Sequence, residues 1–107
     1  MDTFVMLSKL STSGGQKLHS NPDRLADVDD EVTVMRCKVI AQYALLGQYD
    51  FLTIIEAPDA ETAAHLSVDL ASRGTVQIET MAAIPLQRFI NKLKGEEQLG
   101  RGEVERP

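Results

Sequence analysis

Apolar residues crowd both parities of residues 4–10 (FVMLSKL), which predicts a strand. The stretch Ser11-Thr12-Ser13-Gly14-Gly15 that follows reads as a loop by composition. In HSNPDRLADVDDEVTVMR, Leu25, Val28, Val32 and Met35 return at helical spacing. Asn21 is placed as that helix's N-cap, Pro22 as its first residue and Asp23 at the positive end of its dipole. Asp27, Asp29, Asp30 and Glu31 fall on its outer side and read as a solvated surface. Residues 38–46 (KVIAQYALL) and 49–57 (YDFLTIIEA) read as two strands joined by Gly47-Gln48, with Gly47 as the structural turn residue that supplies positive φ. In this register Leu46 opposes Tyr49, Leu45 Asp50, Ala44 Phe51, Tyr43 Leu52 and Val39 Glu56. Beyond Pro58, Asp59 caps a helix over 60–73, with Ala63, Leu66 and Leu70 inward and Gly74 as its stop. Residues 75–83 alternate as a fourth strand, and Leu86, Phe89, Ile90 and Leu93 predict a short closing helix.

The order βαββαβ with a terminal helix predicts an α+β, ferredoxin-like domain. One face of the hairpin carries Leu46, Tyr49, Ala44, Phe51, Ile40 and Ile55; the other carries Tyr43, Leu52, Ala41, Ile54, Leu45 and Val39, with Asp50 and Glu56 at its ends. Helices cover one face only, so the second apolar face is expected to meet another copy of the chain. The 107 residues fit one domain, assigned to 1–94, followed by a charged, Gly-rich tail over 95–107 expected to be disordered. A net charge of −5 with no Lys/Arg cluster excludes a nucleic-acid footprint. No apolar run is long enough to cross a membrane, and Cys37 is the single cysteine, so no internal disulfide forms. The amino-terminal residues lack a signal-peptide pattern, and a cytoplasmic location is expected.

The segment GQYDFLTIIEAPD resembles the GYD domain family, named for a Gly and a Tyr-Asp pair at this hairpin. Similar agreement runs through PDR at Pro22–Arg24, ASRGTVQIETMAA at 71–83 and the loop holding Thr12 and Gly15, so that the likeness spans residues 3–90. Cys37 departs from it, standing where a glycine or small residue is expected. The resemblance implies a dimeric α/β barrel of two ferredoxin-like subunits. It brings no catalytic residues, because the family consists mainly of uncharacterised bacterial and archaeal proteins.

The residues themselves offer few sites. Asp50 shares a face with Tyr43 one diagonal step away, and a carboxylate beside a phenol in an apolar pocket can move a proton. The alternative is that Asp50 accepts hydrogen bonds and pins the hairpin, which is the favoured reading. In this register Tyr49 and Asp50 leave the turn on opposite faces. Glu56 stands about 20 Å along the strand from Asp50, too far for a carboxylate dyad. Glu79 either lines a pocket or pairs with Lys9, the pairing being favoured. His19 lies in the connection before the first predicted helix, where Lys17 and Arg24 could form an anion-binding mouth; a plain connection is the favoured reading. His65 shares a helix face with Glu61 and Asp69 on the solvent side, so no metal is assigned. Lys38 and Arg36 flank Cys37 and would favour a thiolate, but a small buried hydrophobe is the better account. No nucleotide loop, GxSxG or dinucleotide fingerprint is present, and no cofactor is expected.

Three functions fit. The first is a homodimer, or higher homo-oligomer, that binds a small, partly apolar molecule beside the sheet through Tyr43, Tyr49, Asp50, Glu79 and His19. The second is a cofactor-independent enzyme of monooxygenase, isomerase or decarboxylase type, with Asp50 and Tyr43 as catalytic candidates. The third is a purely structural self-association module.

Overall fold

In the computed structural model the described residues are 1–23 and 27–95. The elements run β1 (Asp2–Leu10), α1 (Thr12–Ser20), α2 (Asp27–Val34), β2 (Lys38–Ala44), β3 (Phe51–Ala57), α3 (Ala60–Ala71), β4 (Val76–Ala83) and α4 (Leu86–Gly95). The strands form one antiparallel sheet in the order β2-β3-β1-β4. This α+β topology is consistent with the ferredoxin-like expectation. The predicted tail from 96 onward, Arg24–Ala26, and the side chains of Asp27, Val28 and Asp29 lie outside the described residues.

Alternation along the strands decides what is buried. Phe4, Met6 and Ser8 of β1 and Ile55 and Ala57 of β3 point towards the helices, where Val32 of α2 and Ala63 and Leu66 of α3 close over them. Ile55, Leu66 and Val32 are the largest fully buried side chains, each contributing about 1.5–3 kcal/mol of transfer free energy.

α3 starts as expected, with the Asp59 carboxylate accepting from Thr62 N at 2.7 Å. That bond holds the Asp59 carboxyl below its ordinary pKa.

Three local expectations are corrected. Residues 12–20 are helical rather than a loop, and Asn21 ends α1 instead of opening the next helix: its N–H donates to Lys17 O at 3.0 Å. Ser11 makes this possible, because its Oγ accepts from Gly14 N at 3.0 Å while its own N–H donates to Thr75 O at 2.9 Å. Gly14 is buried against the Thr75 carbonyl, which a Cβ would overlap. Second, β2 carries a bulge between Val39 and Ala41, so Val39 opposes Ile55 rather than Glu56 and turns to the helix side. Third, the β2–β3 connection is wider than two residues. The last closing bond runs from Leu45 N to Asp50 O at 2.8 Å, with 46–49 as the loop and Gly47 at φ 119°.

The face away from the helices is open. Two cross-strand rows occupy it: Ala41, Ile54, Val5 and Met81, then Tyr43, Leu52, Leu7 and Glu79. α4 buries none of its side chains, and Leu86, Phe89 and Leu93 are exposed. No helix among the described residues is long and apolar enough to cross a membrane.

Candidate functional site

The structure disperses the residues singled out from sequence. Asp50 is fastened to β1 from both its backbone and its side chain. Its N–H donates to Ser8 O at 2.8 Å, and its Oδ2 accepts from Leu10 N at 2.8 Å. The carboxylate therefore stands in for a sheet acceptor beyond the end of β3, which is the hairpin-pinning geometry. Tyr49 and Asp50 do not leave on the two faces of a regular strand, because the wider loop breaks the pleat before Phe51. The Tyr49 hydroxyl donates to Glu79 Oε2 at 2.6 Å, on the same open face as Tyr43. Lys9 Nζ sits 5.8 Å from the centre of the Tyr49 ring. Tyr49 thus comes between the Lys9 and Glu79 that were expected to pair. The hydrogen bond to Glu79 first, then burial and the carboxylate's charge, raise the Tyr49 pKa.

His19 lies in α1, exposed, rather than in a connection. His65 Nε2 meets Asp69 Oδ2 at 3.4 Å on the exposed side of α3, and no group of three metal-ligating side chains gathers among the described residues. Cys37 is buried, with its thiol donating to Met35 O at 3.6 Å. Burial, then the charge of Asp59, push that thiol's pKa up, so neighbouring cations do not make it a nucleophile.

A cavity of about 310 Å³ lies on the other side of the sheet, beneath α1, α2 and α3. Its floor includes Ser8, Gln42 and Thr53; apolar side chains such as Leu10, Phe51, Leu70 and Ile78 form its walls. Lys17, Glu31 and Arg73 also line it, and an Arg73–Glu31 ion pair ties the end of α3 to α2. Tyr43 borders it from β2 although its cross-strand row belongs to the open face, whereas Tyr49, Asp50, Glu79 and His19 do not line it. Glu31, assigned to a solvated helix face, is instead half-buried, and its Oε2 has no hydrogen-bond partner among the described residues. Periodicity alone does not reveal this floor. The available signal was polar residues on buried parity: Ser8 follows Phe4 and Met6, and Thr53 stands between Phe51 and Ile55.

A family model described as "GYD domain" matches residues 4–93. The chain is also similar to a protein of Thermus thermophilus named "Glutamine synthetase and cystathionine beta-lyase binding protein". The two are 44% identical over 95 residues, covering 88% of this chain and 100% of the relative. No solved structure matches.

Proposed function

The chain belongs to the GYD domain family, and on that premise we propose that it is a homodimeric protein-binding module whose partners include glutamine synthetase or cystathionine β-lyase. The observation that carries this reading is the 44% identity extending over the relative's whole length, which leaves no part of that protein without a counterpart here. The physical setting agrees with it. The chain presents exposed apolar area on the open sheet face and on α4, and such area marks contact surfaces. The test is direct binding of the purified chain to the glutamine synthetase and the cystathionine β-lyase of its source organism, by biolayer interferometry. Saturable binding to either enzyme supports the reading, and none at about 10 μM of each overturns it. The dimeric α/β barrel is tested separately by sedimentation equilibrium, where a monomer at micromolar concentration would count against it.

A second reading, binding of a small, partly apolar molecule, is favoured by the cavity, whose 310 Å³ reaches the lower range of ligand sites. Its place is under the helices, not beside Asp50 and Glu79. The cofactor-independent enzyme reading rests on fold analogy alone, and the hydrogen-bonded placement of Asp50 adds nothing to it.

A further inference from the structure

We propose that the cavity under the helices binds a small organic acid, with its carboxylate at Lys17 and a hydroxyl or carbonyl at its far end on Ser8, Thr53 and Gln42. This rests on the small-molecule reading above and gives it a site and a ligand class.

The floor supplies the first argument. Ser8 is only 8% exposed, and its side chain hydrogen-bonds to no described residue. Its cross-strand neighbours, Phe51 and Ile78, are both apolar, so packing alone would favour an apolar side chain there. The Ser8 Oγ is not sealed, since among the described side chains Glu31 Oε2 is the atom both buried and unpartnered. The hydroxyl therefore opens onto the cavity and is free to bond a polar group there. Gln42 and Thr53 oppose each other on β2 and β3, and neither side chain bonds to a described residue. Thr53 opposes Met6, two residues before Ser8, so Thr53 stands about 8 Å from Ser8 on the diagonal and directly beside Gln42, and the three form a continuous polar track across the sheet. Each can donate and accept, which suits a hydroxyl or carbonyl rather than a second charge.

The sign of the other end follows from the charges. Arg73 and Glu31 largely neutralise each other in their ion pair, which leaves Lys17 as the lining charge with no ion pair among the described residues. Glu31 Oε2, although unpartnered, is sealed from a solvent-sized group and therefore offers a ligand no acceptor. An anion is favoured over a cation. Between the two ends the walls are apolar, so a short methylene body fits and a compact polyanion does not.

The probes are four six-carbon compounds: 6-hydroxyhexanoate, hexanoate, 1,6-hexanediol and 6-amino-1-hexanol, titrated into the full chain by calorimetry and by ligand-observed NMR. The expected order is 6-hydroxyhexanoate, then hexanoate, with the diol and the amine about tenfold weaker or more. Lys17→Met, at an exposed position, should weaken both acids about tenfold. Ser8→Ala should erase the advantage of the hydroxy acid over hexanoate. Preference for the diol or the amine overturns the organic-acid assignment while leaving a small-molecule site standing. Acid binding that neither substitution changes overturns the location. No binding of any probe at about 10 mM overturns this proposal and the small-molecule reading together.

Discussion

Arg36 takes the backbone conformation that a helix end most often gives to glycine. Its φ is 63°, and around it Arg36 N donates to Thr33 O and Cys37 N to Val32 O, both at 3.0 Å, which closes α2. That conformation costs a residue with a Cβ about 1–2 kcal/mol, partly offset in glycine by greater freedom in the unfolded chain. Arg36→Gly is therefore expected to raise the urea midpoint, by up to about 1 kcal/mol in unfolding free energy. The glycine anticipated at Cys37 is thus needed one residue earlier. At Tyr49 the raised pKa favours the neutral phenol in the folded chain. The Tyr49 contribution to stability is then whole below the unfolded tyrosine value of about 10, and is lost as pH rises through the folded value. In a spectrophotometric titration, Glu79→Leu should bring the later-ionising tyrosine down towards the ordinary value. An unchanged titration would mean that the Tyr49–Glu79 bond does not persist in solution.

At the level of elements, α1 and the hairpin show where the sequence pattern was legible and where it was not. α3 and β4 came out of periodicity, and β1 and β3 out of their dense apolar runs, because each of these signals is local to its own element. α1 did not, because Gly14 and Gly15 carry no pattern, and the reason for a glycine at 14 is the carbonyl of Thr75, far along the chain. Gly14→Ala should cost about 1–3 kcal/mol, read as a drop in the thermal midpoint, since the clash is with backbone that cannot swing aside. The bulge in β2 was equally hidden, because both Val39 and Ile40 are apolar and either suits the buried side. The cavity floor was missed for a related reason. Polar residues on buried parity look like interruptions of a strand until the element above them is known. Asp50 belongs to this scale as well. Asp50→Ala should remove about 1–3 kcal/mol by orphaning Leu10 N–H, without changing the affinity of the acid probes.

For the whole molecule, area decides what a second copy must cover. Four strands at about 4.8 Å spacing, each about 24 Å long, give a projected face of roughly 450 Å². A standard interface buries about 800 Å² of accessible surface per partner, so the proposed dimer would be strengthened by surface beyond the sheet. α4 supplies suitable surface, since Leu86, Phe89 and Leu93 are exposed and nothing on the helix is buried. This gives two substitutions with different expected sizes. Leu52→Glu places a carboxylate between Tyr43 and Leu7 in the middle of an open row, where closure would strip it of water. It should yield a monomer at about 10 μM with its circular dichroism retained, because the position lies away from the helix-covered core. Phe89→Asp should weaken the proposed dimer without abolishing it, as α4 would only extend the area. If Leu52→Glu stays dimeric in sedimentation equilibrium, the open sheet is not the self-association face. Its apolar rows would then be left for a partner enzyme, and the dimer would have to be built on α4.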